Sequence, residues 1–117
     1  MNIEELREYC LSLKGAIEDF PFGEFNLVLK VQGKMFGLIP LDNPETQIVL
    51  KCEPERAIQL RDEYEAITSA YHFNKKHWNS VKIDPTISHA FLCELINHSY
   101  ELVVSGLPRK LRLELDL

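Results

Sequence analysis

The run Lys75-Lys76-His77-Trp78-Asn79-Ser80-Val81-Lys82 holds the only tryptophan of the chain and three of its lysines. An indole stacks on a base and an ammonium neutralises a phosphate, so the combination is suited to gripping a nucleic-acid strand. With side chains alternating along strands, Lys30, Lys51 and Lys82 are expected on the same sheet face as Trp78. Lys34 beside Gln32-Gly33, Asn43 beside Pro44, and Lys75-Lys76 ahead of Trp78 stand in turns that would present them to a phosphate backbone. The candidate nucleic-acid contacts are therefore Lys30, Lys34, Lys51, Lys75, Lys76, Trp78 and Lys82. The plainer alternative packs Trp78 beneath a C-terminal strand and leaves the lysines merely solvated. Arg109, Lys110 and Arg112 form the densest cationic run, which serves equally to blunt a sheet edge.

Other chemistries find less to work with. His89 and Cys93 sit four apart, and His72 and His77 flank the approach to Trp78, but a structural zinc site needs four soft ligands in two close-spaced pairs. Glu4, Glu5 and Glu8 are interrupted by Arg7 and read as a solvated helix face rather than an iron-binding ridge. No glycine-rich phosphate cradle is present, and neither a metal nor a cofactor is expected. His98 and Ser99 would point roughly 100° apart on a helix, which separates them as base and nucleophile. Ser99 and Tyr100 instead read as fixing how the last helix meets the sheet, with the Tyr100 hydroxyl finding a partner at the rim. Cys10 and Cys52 fall in apolar stripes as core thiols. A binding module, not an enzyme, is the expectation.

These residues must be carried by a small set of elements. Asn2 and Glu5 form a capping box for a first helix over residues 3–14, with Ile3, Leu6, Cys10 and Leu13 as its apolar stripe and Gly15 as its stop. Phe20-Pro21-Phe22-Gly23 reads as a rigid aromatic loop. Strands are expected over 25–31 and 34–41, joined by Gln32-Gly33, and over 46–52. Pro54 opens a second helix with Ala57, Leu60 and Tyr64 on its stripe. Two further strands follow over 66–73 and 77–83. Asp84 then caps and Pro85 opens a third helix, which carries Ile87, Phe91, Leu95, Ser99, Leu102 and Val103 on one side and stops at Gly106 and Pro108.

A two-residue turn would pair Val31 with Lys34, Leu29 with Phe36 and Leu27 with Leu38, turning these inward together with Ile48 and Leu50. The opposite face would collect Val28, Lys30, Met35, Ile39, Val49 and Lys51, joined by Trp78, Ser80 and Lys82 if Val81 and Ile83 face inward. Leu111, Leu113, Leu115 and Leu117 alternate with polar residues, which predicts an extra edge strand in the tail over 109–117, after a single domain over 1–108. The order α-β-β-β-α-β-β-α plus a tail strand defines an α+β, two-layer α/β sandwich, an antiparallel sheet with helices on one face.

The chain has 117 residues, one domain's worth, with 45% hydrophobic and 26% charged residues, as in ordinary globular domains. Its net charge of −5 opposes nucleic acid overall, so phosphate binding would need a local basic face. The longest apolar runs are too short to span a bilayer, and residues 1–14 lack the pattern of a secretory signal. Three widely spaced cysteines fit a reducing compartment, and a cytoplasmic location is expected.

Taken in order, Pro21-Phe22-Gly23, Gly33-Lys34-Met35-Phe36, Lys76-His77-Trp78 with Ile83-Asp84, and Ser99-Tyr100 with Leu107-Pro108 resemble the MmcQ/YjbR family. That family is sometimes filed as frataxin-like (CyaY-like) and is close in topology to secretion chaperones. The resemblance covers nearly the whole chain and implies the two-layer sandwich already read from the elements. It also implies DNA binding, the label family members commonly carry on the strength of wing-like hairpins. The alternative is a protein-interaction or chaperone-like adaptor, dimerising or holding a partner through the open sheet face or the tail strand.

Overall fold

The computed structural model describes residues 1–70 and 72–115. Four helices, α1 (Ile3–Leu11), α2 (Pro54–Glu63), α3 (His89–Ser105) and α4 (Arg109–Leu115), accompany six strands. These are β1 (Ala16–Asp19), β2 (Asn26–Val31), β3 (Lys34–Pro40), β4 (Gln47–Lys51), β5 (Ile67–Ser69) and β6 (Trp78–Lys82). They form one antiparallel sheet in the order β1-β2-β3-β4-β6-β5. Leu6 and Cys10 of α1, Ala57 and Leu60 of α2, and Leu92, Leu95, Ile96 and Val103 of α3 pack on one sheet face. The α+β sandwich expected from the sequence is the fold observed.

Local chemistry accounts for the element boundaries. Asn2 Oδ1 accepts the Glu5 amide at 2.8 Å and Glu5 returns the bond to the Asn2 amide, so the capping box starts α1 as expected. The helix stops at Leu11, earlier than residue 14, and Gly15 (φ 75°) lets the chain turn directly into β1. β1 has only four residues, Ala16-Ile17-Glu18-Asp19, with Ile17 exposed, too short for a period to register, and the sequence reading passes over it. Pro54 opens α2 as expected. The strand expected over 66–73 shrinks to three residues, and Tyr71 lies outside the described residues.

The third helix begins at His89, with the Ser88 hydroxyl accepting from the Phe91 amide, not at Pro85. Asp84 binds both the amide and hydroxyl of Thr86, closing a local turn, as Asp-Pro sequences do as readily as they cap helices. Within the helix the buried stripe is Leu92, Leu95, Ile96, Ser99 and Val103, with Phe91 and Leu102, expected on it, only half-buried.

The hairpin turns at Gln32 (φ 49°) and Gly33 (φ 80°), as the two-residue turn demands. Its register then departs from the expected one. Lys30 pairs with Met35 but Leu29 pairs with Gly37, so Phe36 is an extra residue in a β-bulge. Phe36 faces the helix-covered core as expected, but the shift beyond it turns Ile39 inward and Leu38 to the opposite face; Lys34, still paired with Val31, is exposed rather than inward. The bulge also interrupts the ladder to β4, and Ser99 fills the gap. Its hydroxyl donates to the Phe36 carbonyl and accepts the Lys51 amide at 2.8 Å. Tyr100 sets its ring edge-on to Phe36 and donates to the Lys14 carbonyl, the rim partner expected for it.

The tail is a helix, not an edge strand. Arg109 to Leu115 contains only strong helix formers and no β-branched residue, and Pro108 accepts the first amides of the turn. Helical spacing brings Leu111 and Leu115 to one side. Gln32 Nε2 reaches the Leu111 carbonyl at 3.0 Å, and Leu115 lies against Gly15, where an added Cβ would fall 2.5 Å from its Cδ2. Leu113 is left 54% exposed, and Leu117 lies outside the described residues.

Arg7 forks onto Glu18 at 2.5 and 2.6 Å and tethers α1 to β1, and its guanidinium holds the Glu18 carboxyl below the usual range. A carboxyl lowered by folding stabilises the fold at neutral pH, and that contribution is lost as pH falls through the folded-state value. Thermal stability should therefore decline on acidification below about pH 5. Glu18→Gln should show a shallower decline in the same melting series. An unchanged slope would assign the acid sensitivity elsewhere.

Candidate binding face of the sheet

Among the described residues, one face of the sheet carries no helix. Along β4 and β6 the pairs Gln47–Lys82, Val49–Ser80 and Lys51–Trp78 lie across this face, and Val28 with Leu38 and Lys30 with Met35 continue it into β2 and β3. Its centre is a second, smaller apolar cluster of Val28, Leu38, Val49 and Ala70, against which Met35, Phe73 and Trp78 pack. Period-two alternation thus places Lys30, Lys51, Lys82 and Trp78 together as expected, with Leu38 standing where Ile39 was expected.

The seven candidate contacts do not share one environment. Lys30 Nζ binds Asp19 Oδ2 at 2.7 Å, an ion pair that holds the Asp19 carboxyl below its usual range. Lys82 Nζ binds Glu45 Oε2 at 2.9 Å, which raises the Lys82 ammonium. Both amines already neutralise a carboxylate. Lys34, Lys51 and Trp78, by contrast, border one hollow of about 390 Å³ whose far wall is Val103, Gly106 and Leu107. Trp78 is half-buried there, its ring 5.6 Å from that of Phe73 and tilted by 40°. With the tail helical, no strand lies over this indole among the described residues. Lys75 and Lys76 are exposed on the loop leading into β6, which Asn74 shapes by accepting the Lys76 amide. Arg61 steadies the same loop, bonding the Lys75 carbonyl and, at 2.8 Å, the buried Asn79.

Beside the Trp78 hollow lies a larger groove of about 630 Å³, floored by Leu38, Val49 and Ala70. Phe22 and Phe73 stand in its wall with Asn26, Gln47, Thr68 and Ser80. Sequence reasoning missed it. Gln47 and Ser80 were legible from alternation, but Phe22, Phe73 and Asn26 converge from separate loops and strands, and no spacing encodes that.

Residues weighed for other chemistry lie apart from this face. Ser99 is buried between α3 and the strands, while His98 Nε2 accepts the Glu53 amide at 3.3 Å, so the two diverge. Cys10 and Cys52 are buried, and burial pushes the Cys10 thiol up to about 12 and the Cys52 thiol upward as well. His89 is exposed and Cys93 only half-buried. Among the described residues no three His, Cys, Asp or Glu side chains gather as metal ligands, and no helix is long and apolar enough to cross a membrane.

A single antiparallel sheet, helices on one face, and an open face with an aromatic-lysine hollow beside an apolar groove define a small open-faced α/β sandwich. The sequence model of the YjbR family matches residues 11–102. The uncharacterized protein YbdF of Escherichia coli O157:H7 is 41% identical over 91 residues, covering 78% of this chain and 75% of its own. The uncharacterized protein YjbR of Escherichia coli K12 is 30% identical over 112 residues, covering 96% and 95%. Among solved structures, protein DR2400 of Deinococcus radiodurans, with its DUF419 domain, superposes with a TM-score of 0.91 at 36% identity, covering 99% of this chain and 88% of that one. A Pseudomonas syringae protein superposes with a TM-score of 0.75 at 26% identity, covering 87% and 98%. The chain belongs to the YjbR family.

Proposed function

We propose that this chain is a cytoplasmic, non-enzymatic binding module that holds a nucleic-acid strand, DNA by family resemblance, on the helix-free face of its sheet. The observation that carries this reading is the meeting of Lys34 and Lys51 around the half-buried Trp78 in one hollow. Lys75 and Lys76 extend the cationic contacts along the loop. Lys30 and Lys82 contribute less, because a phosphate would have to displace Asp19 or Glu45. A single strand suits the hollow better than a duplex, since stacking on an indole needs an unpaired base face. Free thiols at Cys10, Cys52 and Cys93 support a reducing compartment.

The test is a titration of single-stranded and duplex DNA oligonucleotides, following Trp78 fluorescence at low and near-physiological salt. Saturable quenching that weakens steeply with salt is expected, and Lys51→Glu should weaken binding to all sequences alike. No change even at low salt would overturn the reading.

A second reading, the protein-binding adaptor, is favoured by a different observation. Ile17 on edge strand β1 is 56% exposed, and Phe20, Phe22 and Phe25 are exposed on the loop that follows. An apolar edge of this kind accepts a partner strand. Self-association or partner capture that persists at high salt, and is lost in Ile17→Lys, would favour it.

A further inference from the structure

The groove beside the Trp78 hollow has a chemistry of its own. Among the described residues no Asp, Glu, Lys or Arg side chain lines it, although the chain as a whole is 26% charged. Its floor is aliphatic, and its two phenyl rings come from opposite ends, with the His72 imidazole also in the lining. Phe22 lies in the loop before the Asn26–Pro40 pair, and Phe73 packs on Trp78 at the other end of the β4–β6 ladder. Three primary amides also line it, Asn26, Asn43 and Gln47, and Asn43 Oδ1 already accepts the Glu45 amide at 2.9 Å. The Asn26 side chain makes no hydrogen bond among the described residues. Gln47 has its oxygen engaged by the Ser80 hydroxyl at 2.9 Å, which leaves its amide nitrogen as a donor. The hydroxyls of Thr68 and Ser69 likewise have no partner among the described residues, and both residues line the groove. A concave apolar cavity of several hundred cubic ångströms with a few convergent polar groups has the form of a small-ligand site.

We infer that this groove binds a free, uncharged planar heterocycle with adjacent donor and acceptor groups, of nucleoside size and type. Primary amides offer a donor and an acceptor side by side, the complement of a nucleobase edge. The aromatic walls and aliphatic floor accept its faces. Apart from His72, no lining residue among those described can carry a positive charge, so a phosphate meets little counter-charge and the unphosphorylated form is favoured. This site differs from the lysine-bordered hollow in residues and in charge, and it does not depend on the strand-binding reading.

The experiment titrates adenosine and uridine, with their 5′-monophosphates and ribose as comparisons, into the isotope-labelled full chain and follows backbone amide shifts by NMR. Saturable shifts at Asn26, Gln47, Thr68 and Ser80 are expected with at least one nucleoside, weaker with its monophosphate, and absent with ribose. Gln47→Leu should weaken that binding by about tenfold, the loss of one hydrogen bond to a site group. Lys51→Glu should leave nucleoside binding unchanged while impairing oligonucleotide binding, so failure of either site is read separately. Three results would overturn the assignment: neither nucleoside saturating, the monophosphate binding more tightly, or Gln47→Leu binding the nucleoside as the parent does.

Discussion

Truncating Phe36 to alanine is expected to cost about 3–5 kcal/mol, the range for a large aromatic removed from a packed interior. Phe36 is 0% exposed, and its ring meets Tyr100 edge-on at 5.4 Å. As the extra residue of the bulge it is the knob around which β3 turns its next residues, Ile39 inward and Leu38 outward. Alanine would leave a cavity beneath α3 that the sheet, already kinked there, cannot collapse. Small domains are stable by only about 5–15 kcal/mol, so the variant should lie near the edge of folding at room temperature. Urea unfolding monitored at Trp78 would measure the loss, and Phe36→Leu should recover a good part of it. A cost below about 1 kcal/mol would place Phe36 outside the core and refute the bulged register.

Ser99→Ala is expected to cost roughly 2–3 kcal/mol, although it removes one oxygen atom and hardly changes volume. The bulge leaves the Phe36 carbonyl and the Lys51 amide without ladder partners, and the Ser99 hydroxyl serves both from a fully buried position. Without it, two shielded backbone groups go unmet, at roughly 1–3 kcal/mol for each group that water cannot reach. Hydrogen exchange distinguishes this from a general packing defect: the Lys51 amide should lose protection first. If Lys51 exchanges as in the parent while stability still falls, the hydroxyl is not its acceptor. The consequence reaches the binding face, because Lys51 faces Trp78 across the β4–β6 ladder. A backbone loosened at Lys51 should weaken oligonucleotide binding even though Ser99 lies on the far side of the sheet.

Short-range chemistry was readable from residue order alone. Asn2 with Glu5, Pro54 and Gln32-Gly33 each act through neighbours within about four positions, and each does in the fold what its type predicts. Alternation in β4 and β6 likewise put Lys51, Lys82 and Trp78 on one face, because a strand's period of two is a property of the chain itself. Ser99 and Tyr100 were recognised as joining α3 to the sheet, though not which backbone groups they would meet.

Where two local solutions were equally compatible with the residues, packing chose between them. The alternating leucines of the tail satisfy a strand or, through Leu111 and Leu115, a helix, and docking beside Gly15 and Gln32 goes with the helix. The bulge at Phe36 changes the register partway along a hairpin whose turn gives no sign of it, since the compensating hydroxyl comes from a helix more than sixty residues later in the chain. The same holds for the binding face. Residue types set out the lysines and the indole, but only tertiary structure brought Asp19 to Lys30 and Glu45 to Lys82, leaving Lys34 and Lys51 to frame Trp78. Only tertiary structure, too, closed Phe22, Asn26 and Phe73 around a groove with an aliphatic floor. Hydrogen bonds and turn preferences act over a few residues and are written in sequence. Ion pairing and cavity shape act through space, and they are settled only when distant segments meet.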